Sequence, residues 1–398
     1  MNSLVNPRFI AAIAIIAAMG IMFLWRSSTS NLDQAAQQRC RSMSVENEQY
    51  RCWAELLERK IWSEGLGNAF HLLTKLYVSE PNAPKLCHLL THRIGEIAYQ
   101  KFGKDGGAAR MPEAAFCHFG FYHGFMEALV TNGGNAAEAR AFCTVIESDL
   151  QGGIAPDAAP QCFHGIGHGM VNGHEPGLWG NARAMTSRAL NLCEEVADTA
   201  ARRYRCAAGV FNGLAIFYVR QEYGLSMAGI DPEDPLRTCR GQKPEYRMPC
   251  YGNMQPVLTK LTGRNFSKIA SIIERLPDDN DAASTIWYHA GFHMAQRLGE
   301  MNLHDDILVC RSLREPLRLP CIQGLATGFL WYGLPGQEYE SAVRFCNTNE
   351  LSGREQRACF VKIEELLPAS YPPQRIAEIC RAIPLQYRST CKDTYKLQ

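Results

Sequence analysis

The sequence predicts an all-α fold of disulfide-stapled helical-hairpin repeats, either closed into an α/α toroid or wound into a superhelical solenoid, behind an N-terminal transmembrane helix. Three observations carry this reading. The cysteines arrive in spaced couples, a glycine- and histidine-bearing motif recurs along the chain, and hardly any segment has the period-two, β-branched pattern of a strand.

The motif is fullest at Cys162-Phe163-His164-Gly165-Ile166-Gly167-His168-Gly169. Weaker copies begin at Cys117, Cys206 and Cys321, and Tyr288-His289-Ala290-Gly291-Phe292-His293 reads as a copy that has lost its cysteine. Read in order, the 16 cysteines form the couples Cys40/Cys52, Cys87/Cys117, Cys143/Cys162, Cys193/Cys206, Cys239/Cys250, Cys310/Cys321, Cys346/Cys359 and Cys380/Cys391. Six of these couples span only 11 to 13 positions. An apolar-periodic segment precedes each first cysteine, a polar turn follows, and a second helical segment starts near the second cysteine. Sequential disulfides are therefore expected, each stapling one helix end to the next helix start, for about 3 kcal/mol apiece on the chain-entropy argument. No two cysteines are closer than 11 positions, which excludes Cys-x-x-Cys zinc ribbons, c-type haem attachment and thioredoxin-like redox motifs.

Taken in order, residues 9–25 form an unbroken apolar run between Arg8 and Arg26. At 1.5 Å per residue the run reaches roughly 26 Å, enough to span a bilayer with slight thinning. No Ala-x-Ala cleavage site follows Trp25, so an uncleaved signal anchor is expected. Residues 1–8 are then a cytoplasmic tail, 26–35 a linker and 36–398 the extracytoplasmic repeat domain. All the cysteines follow the anchor, and such usage belongs outside a reducing cytosol. The expected location is the inner membrane, with the C-terminal domain in the periplasm or extracellular space. Helix is expected over 35–61, with Trp53, Leu56 and Leu57 on one side, then over 70–77 and over 84–102, which carries His88 and His92. It resumes over 112–130, ends at Asn132-Gly133-Gly134-Asn135, and continues over 136–150. Residues 151–160 read as a glycine- and proline-containing loop, and the central motif runs from 162 to 172. Beyond it, helices alternate with short turns at 231–235, 241–244, 277–280, Pro335-Gly336 and Pro372-Pro373.

Positions three and seven after the motif cysteine are glycine in four copies: Gly120/Gly124, Gly165/Gly169, Gly209/Gly213 and Gly324/Gly328. Each glycine costs about 1 kcal/mol of helix propensity relative to alanine. Close helix–helix packing along an i, i+4 stripe is the favoured compensation, ahead of backbone approach to a ligand. The histidines pair in the same way. His88/His92, His164/His168 and His289/His293 stand at i, i+4, and His118/His123 at i, i+5. An i, i+4 pair presents two imidazoles from one helical face, as a metal site requires. Candidate metal ligands are His118, His123, His164, His168, His289 and His293, with Glu127, one turn after His123, as a further ligand or catalytic base. His88/His92 lies off the glycine stripe and reads as surface or core. His plus Glu suits zinc or iron, and the nearby Met126, Met170 and Met294 add tolerance for copper.

Trp331-Tyr332-Gly333-Leu334-Pro335-Gly336 and His164-Gly165 resemble elements of the lanthionine-forming cyclases, α/α toroids that bind zinc. The resemblance covers two short segments. The zinc-ligating cysteine of the family's Trp element is absent, and no Cys-His-Gly element follows it. The resemblance therefore implies the toroid and carries over neither ligands nor activity.

A net charge of +1 gives no electrostatic case for nucleic acid. No P-loop, dinucleotide fingerprint after a strand, G-x-S-x-G or H-E-x-x-H is present. The functional expectation is a membrane-anchored extracytoplasmic repeat protein whose histidine-lined central pocket binds zinc, copper or iron. The alternative is a scaffold that displays a groove to a protein or glycan partner, its histidines being structural. A metal-free hydrolase or lyase on an α/α toroid is a third reading, without an identifiable acid–base pair.

Overall fold

The computed structural model describes residues 35–105, 111–150, 158–172, 175–276, 280–295, 303–334, 336–388 and 391. The expected anchor at 9–25 and nearly all of the linker lie outside these residues. Among the described residues, no helix is long and apolar enough to cross a membrane.

The protein is all-α over the described residues. After a helical stretch at 35–41 come α1 (Glu46–Glu64), α2 (Leu66–Ser79), α3 (Ala83–Phe102), α4 (Phe116–Thr131), α5 (Ala136–Leu150), α6 (Ala158–Asn172), α7 (Ala182–Val196), α8 (Ala200–Arg220) and the one-turn α9 (Arg237–Arg240). Then follow α10 (Pro244–Asn253), α11 (Gln255–Thr262), α12 (Phe266–Glu274), α13 (Asn280–Ala295), α14 (Leu303–Ser312), α15 (Glu315–Trp331), α16 (Glu338–Cys346), α17 (Gly353–Ser370) and α18 (Pro373–Ala382). Local chemistry sets several starts. Asn181, Thr199 and Asn265 cap α7, α8 and α12 through their side chains, and Ser352 with Glu355 forms a capping box on α17.

Two expected boundaries move. The helix expected over 35–61 breaks at 42–45, where Ser42 Oγ donates to the Arg39 carbonyl and the chain turns to bring Cys40 onto Cys52. The motif helix starts at Ala158 instead of Cys162. Pro160 falls in its first turn, where the amide hydrogen it lacks has no intrahelical partner.

All eight cysteine couples are bonded sequentially, as their spacing predicts. Most tie a helix of an outer layer to the next helix of an inner row. That row runs α1, α3, α4, α6, α8, α10, α13, α15, α17, each packed on the next. The glycine stripe makes the contacts. A β-carbon on Gly124 would lie 1.9 Å from the His92 carbonyl oxygen, and one on Gly209 equally close to that of His164. Backbones therefore touch where a methyl group would not fit. The stripe is packing, with no ligand between the helices at these points. His88 faces Gly120 and His92 faces Gly124, so residue numbers rise together and α3 and α4 run parallel. The same holds for α4/α6, α6/α8 and α13/α15. Between the layers lies an apolar core that includes Trp53, Phe70, Phe121, Phe125, Phe163, Phe211, Trp287 and Phe360. Two contacts also join segments far apart in sequence. His118 at the start of α4 stacks on Trp331 at the end of α15, and the Tyr77 hydroxyl donates to the Tyr332 carbonyl.

Candidate metal centre

Parallel packing of α3 on α4 builds the site. His88 and His92 occupy successive turns of α3 and face the Gly120–Gly124 stretch of α4, which carries His123 between its glycines. Because the glycines let the two backbones close up, the three imidazoles meet: ring centres are 5.1 Å apart for His88–His92 and His88–His123, and 5.2 Å for His92–His123. One donor nitrogen from each lies within 4.8 Å of the others, and side-chain rotation from there can place all three on one ion. His123 is 1% exposed.

The surroundings fix ring orientation. His88 Nδ1 lies 2.9 Å from the Cys117 carbonyl, which only accepts, so Nδ1 carries the proton and Nε2 presents a lone pair. His92 Nδ1 stands 3.5 Å from Glu127 Oε2, and the other Glu127 oxygen accepts a hydrogen bond from His168 Nδ1. Glu127 therefore spans α3 and α6 from its place on α4. Neither ring nitrogen of His123 has a hydrogen-bond partner, and the Nε2 atoms of His118 and His168 are also buried without one. Buried polar atoms normally find partners, so this cluster of orphans points to a group that would satisfy them.

The electrostatics favour neutral imidazole, the form that binds metal. Burial, reinforced by the neighbouring imidazoles, lowers His88 to about 3. The same causes, burial first, hold His118, His123 and His164 well below the ordinary histidine value. Burial pushes the Glu127 carboxyl upward, but His168 and then His92 outweigh it and hold the group well below the usual carboxylate range. A carboxylate engaged by two imidazoles is placed to orient them.

The remaining histidines lie around or away from the trio. His164 stacks on His123 with ring centres 4.7 Å apart, and His168 lies 5.8 Å from His123 and 5.5 Å from His92. His118 has its ring centre 5.5 Å from that of His88 and 4.0 Å from that of Trp331. His289 and His293 sit on α13, His289 against Gly252 and His293 beside Phe292. Sequence reasoning missed His88 and His92, because the glycines that admit them belong to the facing helix. Cys117, His118 and Phe119 carry left-handed dihedrals, with φ of 51°, 62° and 58°, where the sequence predicts an ordinary helical turn. Each such residue costs about 1–2 kcal/mol, so tertiary contacts hold this segment in place.

No protein-family model, no curated protein and no solved structure matches the chain. Fold and site together define an all-α, disulfide-stapled protein of repeating helix–helix packing that contains a histidine trio able in principle to chelate a metal ion.

Proposed function

We propose that this chain is a rigid extracytoplasmic scaffold that displays a groove to a protein or glycan partner, and that a transition metal on His88, His92 and His123 braces its N-terminal half. The observation that carries the metal is His123, buried with both ring nitrogens unpartnered and two more imidazoles at its edge. All-nitrogen ligation at a buried position suits zinc, with copper or iron as competitors. The burial of His123 and the engagement of Glu127 favour a structural ion over a reactive one.

The scaffold reading draws on the stapled repeats and on a cavity of about 320 Å3 beside the ends of α4 and α6. Leu178, Trp179, Met185 and Leu192 line it, and the Arg188–Glu175 ion pair stands at its rim. The contact between α4 and α15 supports a closed toroid over an open solenoid. Complete pairing of the cysteines supports an oxidising location, with residues 9–25 as the anchor.

Elemental analysis of residues 27–398, produced in an oxidising compartment without a metal-binding tag, tests the metal. About one equivalent of zinc, copper or iron is expected in the parent chain, with none in His123→Ala. A folded parent that stays metal-free after reconstitution would remove the ion and leave the scaffold, whose partner crosslinking would then identify.

A further inference from the structure

The Cys87–Cys117 disulfide differs from the other seven. Those join cysteines 11 to 19 positions apart; this one spans 30 and ties α3 directly to α4, two neighbours in the inner row. It is also flanked by the histidine cluster. Cys87 precedes His88, Cys117 precedes His118, and the Cys117 carbonyl is the acceptor that fixes the His88 ring. We propose that Cys87–Cys117 is a dithiol-exchange site that controls metal occupancy of the histidine trio, an inference that rests on the metal reading above.

Two further observations support it. Cys117 begins the left-handed run Cys117-His118-Phe119, a conformation that residues with side chains adopt only when held. The disulfide is the covalent part of that hold. Once it is cut, the run is free to rewind into a right-handed turn, which carries the Cys117 carbonyl off His88 Nδ1 and releases the ring from its ligand tautomer. Cys117, itself 6% exposed, also borders a cavity. The cavity, of about 190 Å3, is lined by Trp331 and Tyr371 as well, whereas Cys87 is not among its lining residues. Glu338 also lines it, but its carboxylate already accepts from the Gly336 amide and the Tyr371 hydroxyl. The Arg375 guanidinium, paired with Glu378, also borders the cavity.

The exchange balances with an external dithiol as reductant. Its thiolate attacks the Cys117 sulfur, forming a mixed disulfide and expelling Cys87 as thiolate, which takes a proton from water. The reductant's second thiol then attacks its own bound sulfur, leaving as a disulfide and returning Cys117 as thiol. Two electrons pass from the dithiol to the pair.

The test measures zinc affinity of the full chain by chelator competition in three states: oxidised, reduced by a limiting dithiol, and Cys87→Ala/Cys117→Ala. Cys193→Ala/Cys206→Ala serves as a control for lost stapling, with circular dichroism confirming helix content. At least tenfold weaker zinc binding is expected in the reduced chain and in the first double variant, and unchanged binding in the control. Equal affinity in all states overturns the proposal, as does retention of zinc on reduction with loss only in the alanine variant, since the freed thiols would then be ligands. A parent chain that binds no zinc overturns the metal reading and the control of occupancy together. Alkylation mapping then decides the exchange site alone: Cys87 and Cys117 labelled first uphold it, and labelling no earlier than the other cysteines ends it.

Discussion

The imidazole of His118 lies over the indole of Trp331, ring centres 4.0 Å apart and planes 29° from parallel, so the first turn of α4 rests on the last turn of α15. Phe292 of α13 packs against both rings. Trp331→Ala should lower the unfolding free energy by about 3 kcal/mol, through lost stacking and a new void. Denaturant titration checks this, and a loss below about 1 kcal/mol would mean that α4 and α15 do not support each other.

Gly124→Ala and Gly209→Ala should each cost more than the roughly 1 kcal/mol that alanine gains in helix propensity. Overpacking on this scale costs about 1–3 kcal/mol or more, because the added methyl group meets a backbone oxygen with nowhere to move. Gly177→Ala, with nothing within 4 Å of the new atom, should be neutral. Thermal melts of the three variants give the comparison, and a stabilised Gly209→Ala chain would rule out backbone contact there.

Acid should unfold the metal-free chain early. Burial, first among the causes, holds His88 and His289 at about 3 and His118, His123 and His164 well below the ordinary 6.5. These folded values lie below the unfolded ones, so the unfolded chain binds more protons under about pH 6.5. Stability from these groups is complete above that pH and is lost as pH falls towards 3, with each unmatched proton adding about 1.4 kcal/mol per pH unit to the slope. Glu127, depressed by His168 and His92, adds its own loss at lower pH. Melting temperature measured from about pH 8 to about pH 4 should therefore fall steeply; a flat profile would contradict neutral burial.

Zinc should raise the melting temperature of the parent chain, by an amount equivalent to about 2.7 kcal/mol at a hundredfold excess over the dissociation constant. His123→Ala and His88→Ala should abolish the shift. His289→Ala should retain it, because His289 stands on α13 away from the trio. A shift that survives His123→Ala would place the ion elsewhere.

Much of the fold is legible in the sequence because its determinants are local. A couple such as Cys346/Cys359 brackets one polar turn between two helices, and its bond follows from that spacing. The glycine stripe likewise announces close packing. The site is less legible because it is made across helices. Gly120 and Gly124 declare that α4 has an intimate neighbour without naming it, and the neighbour proves to be α3, whose own His88 and His92 carry no glycine signature. The i, i+4 spacing of that pair was the available signal. The left-handed turn at Cys117 left no trace, since no glycine marks it.

The shared direction of α3, α4, α6 and α8 has an electrical consequence. Each helix carries about half a positive charge at its N-terminus and half a negative charge at its C-terminus. In an antiparallel bundle neighbouring dipoles cancel, but here they align. One rim of the row gathers the amide ends near Ala83, Phe116, Ala158 and Ala200, and the opposite rim gathers the carbonyl ends near Phe102, Thr131, Asn172 and Arg220. Within the inner row of a chain of almost zero net charge the dipoles therefore add, and the outer helices α5 and α7, which return the chain from one rim to the other, are what oppose them.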